Sequence, residues 1–447
     1  METLKTQITA PEQLSFGPFR LDLKNCSVLR DGADLGLRHQ AFRALQVLIQ
    51  QTGMYVDYEQ MIRDAWEGNV VSRHTVATTI GAIRKALNEY GGWITYRPKL
   101  GYRLEVPATT DLIRTGWHHW NRRTREGVEM ALRCFEQAAL LNPADPAAFN
   151  GMSSCFMVLG TFGMRPAADV YDPFRAAQER AVALRGWTPK LRGERARFLY
   201  LFDLKFEEAE RELELAVKEK PETPAVYLYL AMLNASLRRF DAALDNLTLA
   251  YATDPLFPTL PATEILVRFC RREFDAAVEC AKKGLDLHPY LHLGRAYYAQ
   301  ALEFSGRAED ALAQYRLASV ISPAMFWFRA LEARCLANNG RAPEALEILE
   351  ELERTRLSEY VDAYYMALLL DALGRRDEAI DELERALEEN SPTLYILDVD
   401  PKMDPLRAHP RFMRLRDRVF GGVGNERTPA SVTPRQVPVS GSGASIL

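Results

Sequence analysis

Between residues 70 and 103 six basic side chains (Arg73, Arg84, Lys85, Arg97, Lys99 and Arg103) stand against a single acid, Glu89. His74 and Thr78 are interleaved with them. Guanidinium and ammonium groups bind phosphate oxygens, and threonine hydroxyls and methyls meet base edges, so this mixture points to duplex nucleic acid. Catalysis has no comparable support, for the chain lacks a phosphate-cradling glycine loop, a G-x-S-x-G elbow and a metalloprotease signature. The six cysteines (Cys26, Cys134, Cys155, Cys270, Cys280 and Cys335) include no C-x-x-C pair, and no histidine cluster completes a zinc site. They are read as buried free thiols of a reducing cytoplasm. No catalytic residue, no metal and no cofactor is expected.

The elements that must position the basic residues can be read around them. Phe16, Phe19, Leu21, Leu23, Val28, Leu29, Leu35 and Leu37 fall in short runs broken by turn signals such as Asp31-Gly32, which predicts short strands over 14–37. Phe42, Leu45, Leu48 and Ile49 have helical spacing within 40–51, as do Met61, Ile62, Ala65 and Trp66 in a second helix near 58–66. Ser72 is a natural N-cap for a third helix whose buried stripe is Val76, Ile80, Ile83 and Leu87. Its other face holds His74, Thr78, Gly81 and Lys85, with Arg73 and Arg84 on the flank. Residues 93–96 and 101–106 then read as a hairpin around Arg97-Pro98-Lys99-Leu100. Three helices and a hairpin predict a winged helix-turn-helix, with the third helix in the major groove.

With those elements in place, residues 14–106 resemble the OmpR/PhoB-type winged helix in its ToxR/CadC-like branch. The resemblance rests on the strand-rich start, the end of the third helix (Ile83-Arg84-Lys85-Ala86-Leu87) and the wing Pro98-Lys99-Leu100-Gly101-Tyr102-Arg103. It implies that His74, Thr75, Thr79 and Arg84 face DNA or its phosphates, with Arg97 or Lys99 in the wing. Tyr102 and Arg103 are read as closing the wing onto the core, and Trp66 and Trp93 as core. Gly81 and Ala82 depart from the pattern, for relatives commonly carry basic residues there. Two readings therefore stay open: a helix that sits deeper in the groove, or a module turned from DNA to protein docking.

Behind this module the composition changes. Residues 1–107 carry 13 Lys/Arg against 11 Asp/Glu, whereas the remaining residues carry 43 against 49. In residues 110–420 Ala209, Ala243, Ala277, Ala311, Ala345 and Ala379 recur every 34 positions. A large residue follows at the fourth position in most units, a small one at the seventh, and Pro221, Pro255, Pro289 and Pro323 at the twelfth. Offsets of four and seven share a helix face, small residues admit a neighbouring helix, and proline ends the second helix of a pair. Ala131 and Ala177 open two earlier units spaced by 46, so a longer loop or helix extension is expected around Gly160–Pro173. Gly306, Gly340 and Gly374 are expected helix C-caps.

This array resembles the tetratricopeptide repeat family, over eight units. Such pairs stack into a superhelix because no pair buries its own face. Standard repeat geometry would line the inner wall with first helices, making Leu228, Met232, Leu266, Phe269, Phe304, Trp327 and Tyr364 an apolar partner-binding groove. The basic, aromatic stretch Arg114–Arg125 either packs the first repeat or lies near DNA. Asp400–Phe420, with its arginine-rich last helix, is expected to cap the array, and 421–447, rich in Gly, Ser, Thr and Pro, to be a disordered tail.

The sequence thus predicts a mostly α protein: an α+β winged helix-turn-helix over 14–106, then an all-α superhelical solenoid over 110–420. The expected function is that of a bacterial one-component transcriptional regulator. It would bind double-stranded DNA through Arg73, His74, Thr75, Thr78, Thr79, Arg84, Lys85, Arg97 and Lys99. The array would take a protein, a peptide or a small apolar effector. The alternative is a non-enzymatic scaffold that has lost DNA binding. With no apolar leader and no run of about 18 apolar residues, no membrane partner and a cytoplasmic location are expected. Oligomeric state is left open.

Overall fold

A computed structural model describes residues 13–16, 19–30, 33–106, 108–221, 223–289 and 291–421. The expected turn at Asp31-Gly32 and, apart from Gly421, the expected tail lie outside the described residues. The chain divides into two compact units, residues 1–159 with 170–186 and residues 160–169 with 187–447.

The first unit opens with four antiparallel strands in chain order, β1 (Gln13–Phe16), β2 (Phe19–Asp22), β3 (Ser27–Arg30) and β4 (Ala33–Asp34). Leu14 pairs with Leu21 and Leu21 with Val28. Asp22 sets the β2–β3 turn by accepting the amides of Lys24 and Asn25, each at 3.0 Å. Cys26, in that turn, is exposed, unlike the buried thiol expected there. Extended pairing stops at Asp34 because Gly36 takes a left-handed φ of +66° and its amide is held by the Asp34 carboxylate. Leu35 and Leu37, expected in a strand, pack onto the core from a loop instead.

Helices α1 (His39–Gln50), α2 (Tyr58–Ala65) and α3 (Arg73–Ala86) follow, then a 3-10 helix (Asn88–Trp93) and the hairpin β5 (Ile94–Arg97) and β6 (Gly101–Leu104). One core joins Phe19, Leu21, Phe42, Leu45, Met61, Trp66, Val76, Ile80, Ile83, Leu87, Trp93 and Leu104. Each aliphatic side chain so enclosed stabilises by about 1.5–3 kcal/mol. The stripe expected on α3 is thus the face that anchors it.

The same unit contains α4 (Thr109–Trp120), α5 (Arg125–Leu141) and most of α6 (Pro146–Thr161) and α7 (Ala167–Arg185). Trp117 stacks edge-on to Phe135 at 5.0 Å, and the Trp120 indole donates to Ser154 O at 3.1 Å. Gly116 and Gly151 make room for Phe135, since a Cβ on either would lie within 2.7 Å of the ring. The tryptophans of the basic, aromatic stretch therefore pack the first repeat. The extra residues before the second anchor extend α7 to 19 residues with Pro173 inside it.

The second unit is a run of helix pairs: α8 (Pro189–Leu201) with α9 (Phe206–Lys218), α10 (Ala225–Ser236) with α11 (Phe240–Thr253), α12 (Leu260–Cys270) with α13 (Phe274–Leu287), α14 (His292–Phe304) with α15 (Ala308–Ile321), α16 (Trp327–Asn338) with α17 (Ala342–Thr355), and α18 (Ala363–Ala372) with α19 (Arg376–Glu388). All six anchor alanines are fully buried. Gly284, at the small site of its unit, would press a Cβ to 2.5 Å from Pro261, which is the close helix approach the pattern requires. The turn inside each pair has a left-handed residue at 204, 238, 272, 306, 340 and 374. Glycine fills it in the last three, as expected, but Leu204, Arg238 and Arg272 fill it in the first three.

The chain's end departs from a simple terminal cap. Two 3-10 helices (Leu394–Ile396 and Pro401–Leu406) precede α20 (Pro410–Phe420), whose Arg411 pairs with Asp381 and Glu384 of α19. Residues 391–406 run back along the first helices. Tyr395 packs on Tyr200 of α8, Lys402 sits 4.7 Å over Phe269 of α12 and bonds Gln300 of α14, and Asp400 accepts from Tyr364 of α18.

Candidate nucleic-acid interface

Ser72 caps α3 by accepting the Thr75 amide at 3.1 Å, and its hydroxyl lies 2.9 Å from that of Thr75. The hydroxyls of Thr78 and Thr79 donate back to the carbonyls of His74 and Thr75, each at 2.9 Å. Their donor protons are thus used inside the helix, which leaves oxygen lone pairs and methyl groups to be read from outside. Arg73, His74, Thr75, Thr78, Gly81, Ala82 and Lys85 are exposed, and Thr79 is half-buried. A Cβ on Gly81 would meet nothing within 4 Å, so internal packing does not demand glycine there. Glycine within a helix costs about 0.5–1 kcal/mol relative to alanine.

The wing turn explains its own sequence. Leu100 N bonds Arg97 O at 3.1 Å, with Pro98 and a left-handed Lys99 (φ +69°) between them. Proline followed by a positive-φ residue is the type II arrangement, and lysine holds it where glycine or asparagine would be easier. Gly101 is obligatory, for a Cβ would lie 2.0 Å from Val56 O. That close approach lets Tyr102 and Val56 exchange backbone bonds of 3.0 and 2.7 Å, docking the wing on the loop before α2. Arg103 lies 4.7 Å over the Tyr55 ring and pairs with Glu105 at 2.6 Å. Tyr102 and Arg103 thus close the wing as read from sequence, and Trp66 and Trp93 are buried. Arg97 and Lys99 stand exposed at the tip.

Arg84 has a different place from the one expected. Its Nε and Nη2 both donate to Ile94 O, at 3.1 and 2.7 Å, tying the third helix to the first strand of the wing. It positions the wing relative to α3, and its donors toward that carbonyl are used. The sequence gives no sign of this, since Arg84 and Ile94 lie on different elements. Arg73, Lys85, Arg97 and Lys99, by contrast, have no carboxylate partner within ion-pair distance among the described residues; Arg73 lies 5.4 Å from the Tyr58 ring. Among the described residues no three His, Cys, Asp or Glu side chains gather as metal ligands would.

The expected apolar groove of the array is not an open wall. Leu228, Leu266, Phe269, Trp327 and Tyr364 are buried, and Met232 and Phe304 are half-buried. Leu228 and Met232 belong to the core between pairs, because close stacking turns that side of the first helices inward. Phe269, Phe304 and Phe274 form a ring cluster with centroids 5.0–5.5 Å apart. Phe269 and Tyr364 are covered by the chain's own Lys402 and Asp400. Sequence reasoning missed the residues that hold this segment. Arg238 donates to the Asp398 carboxylate at 2.7 Å, and Arg272 grips Asp404 with one nitrogen at 2.7 and 2.9 Å. The available signal was arginine at two turn positions where the repeat otherwise moves to glycine.

Residues 32–104 match the family model "Transcriptional regulatory protein, C terminal", and residues 199–258 match "Tetratricopeptide repeat". The chain is 31% identical over 101 residues to the transcriptional regulatory protein CutR of Streptomyces coelicolor, a stretch covering 22% of this chain and 46% of CutR. It is 28% identical over 85 residues to the transcriptional activator CadC of Escherichia coli, covering 18% and 17%. The chain therefore spans less than half the length of these curated relatives. Among solved structures, the human IFIT1 dimer with m7Gppp-AAAA aligns with a TM-score of 0.52 at 15% identity, over 83% of this chain and 84% of that one. At such identity the likeness concerns the helical-repeat fold alone. Among the described residues no helix is long and apolar enough to cross a membrane.

Proposed function

Taking the N-terminal module as an OmpR/PhoB-type winged helix and the chain beyond it as tetratricopeptide repeats, we propose a one-component transcriptional regulator of the bacterial cytoplasm. The module binds double-stranded DNA, and the array takes a protein partner or an effector. The observation that carries this reading is the set of exposed cations on α3 and the wing, Arg73, Lys85, Arg97 and Lys99, which have no carboxylate partner among the described residues. Exposed arginines of the array are commonly matched, as Arg307 is with Asp310 and Arg385 with Glu389. Cations left unmatched on one small module give up local neutralisation and suit a phosphate backbone. His74, Thr78 and Thr79 supply the face that meets base edges, and Gly81 and Ala82 let that face approach closely.

The test is anisotropy of a labelled random duplex with the full chain, from about 50 to 200 mM salt. Affinity is expected to fall steeply with salt. Lys85→Ala and Lys99→Ala should each lower the slope of log K against log salt by about 0.9. Salt-independent binding, or slopes unmoved by both changes, leaves the non-enzymatic scaffold reading in place of this one.

A further inference from the structure

Arg197, on α8, is only 7% exposed. Among the described residues no carboxylate lies within ion-pair distance of it; its polar side-chain partner is the Tyr229 hydroxyl, and its Nε has no partner. Other deeply buried cations of the same unit are matched, Arg334 by Glu303 and Lys402 by Asp400. Burying a charge is strongly unfavourable unless it is paired, so an unmatched guanidinium in such a place asks for an anion.

Its surroundings are aromatic. The guanidinium carbon lies 5.2 Å from the Tyr229 ring and 5.9 Å from that of Phe162. Tyr200, one turn along α8, packs on Tyr395 at 5.5 Å, and its buried hydroxyl has no partner. Tyr297, close enough to feel the Arg197 charge, lies 6.2 Å from Trp327, which stacks on Tyr365 at 5.1 Å. Burial pushes the Tyr297 hydroxyl up to about 12, against the opposing pull of Arg197, and raises that of Tyr365 well above its ordinary value. Yet Phe162, Tyr229, Tyr297 and Tyr365 all keep part of their surface accessible.

We propose that these side chains line a ligand site for a small planar molecule bearing an oxyanion, carboxylate or phosphate. The oxyanion pairs with Arg197 and accepts from the Tyr200 hydroxyl, while the planar body lies among Tyr229, Tyr297 and Trp327. Guanidinium suits such anions through its fork of donors, and aromatic walls suit a flat ligand. The assignment deepens the effector half of the proposed function and rests on it; it is independent of duplex binding.

Calorimetry and thermal melting of the full chain test it, with benzoate, phenyl phosphate, inorganic phosphate and neutral benzyl alcohol as probes. Benzoate or phenyl phosphate is expected to raise the melting temperature and to bind at least about tenfold more tightly than benzyl alcohol, a difference of about 1.4 kcal/mol. The preferred probe tells carboxylate from phosphate. Arg197→Met should abolish the preference, and without probe it should melt no lower than the parent chain, because it removes an unmatched buried charge. Tyr297→Ala should weaken the aromatic anions and spare inorganic phosphate. No uptake of any anion at about 10 mM overturns the site, as does binding unchanged in both variants, since 10 mM is weaker than millimolar affinity. An Arg197→Met chain that melts well below its parent or fails to fold also overturns it, by making the guanidinium a structural part. The wider effector reading has its own readout, a change in duplex affinity on adding small-molecule cell extract, so the two can fail separately.

Discussion

Arg84 offers the sharpest separation of a residue that shapes the interface from one that touches DNA. Arg84→Ala removes two hydrogen bonds from a cation to Ile94 O. A hydrogen bond to a charged group contributes about 1.5–3 kcal/mol, but both bonds share one acceptor and the side chain is half-exposed. The expected loss is about 1.5 kcal/mol, at the low end of that range. For a module of this size that lowers its melting temperature by roughly 6–12 °C. Hydrogen exchange, followed by mass spectrometry on residues 88–106, should show the wing opening first. Duplex affinity should fall while the salt slope stays near that of the parent, because the proposed phosphate contacts belong to other cations. Lys85→Ala should do the reverse, lowering the slope by about 0.9 with little effect on melting. If Arg84→Ala instead cut the slope as Lys85→Ala does and left melting and exchange unchanged, Arg84 would be a phosphate ligand and the positioning argument would be wrong.

Gly101→Ala should undock the wing, since its Cβ would lie 2.0 Å from Val56 O; a drop above about 3 kcal/mol in the module's denaturant stability is expected, and a soluble variant that melts like its parent refutes it. Arg272→Ala and Asp404→Ala should form a double-mutant cycle with a coupling of about 0.5–1 kcal/mol, modest because both groups are about half-exposed. Burial alone would raise the Asp404 carboxyl, but the bonds from Arg407 and Arg272 prevail and hold it below its ordinary value. A depressed carboxyl stabilises above its unfolded pKa and loses that contribution as pH falls through the folded value. Acid titration of the parent should therefore lose this increment below about pH 4, the unfolded value, and Asp404→Asn should lack it. Tyr364→Phe strips the 2.8 Å bond from a fully enclosed Asp400 and should cost about 1–3 kcal/mol by chemical denaturation.

Local periodicity made much of this protein legible in advance. Val76, Ile80, Ile83 and Leu87 recur at helical spacing, so the anchored face of α3 and its exposed opposite follow from neighbours in the chain. The 34-residue register of the alanines works in the same way, because each unit is a helix pair completed by the next. The wing turn was also readable, as the hairpin around Arg97-Pro98-Lys99-Leu100. Other features were decided by side chains distant in sequence. Arg84 looked like a phosphate ligand until folding set Ile94 O beside it. The apolar groove looked open until Asp398, Lys402 and Asp404 returned to Arg238, Gln300 and Arg272 across 160, 102 and 132 residues. A one-dimensional pattern states which face of an element is apolar. Which other part of the chain comes to cover that face depends on three-dimensional closure, and there the tertiary structure alone decides.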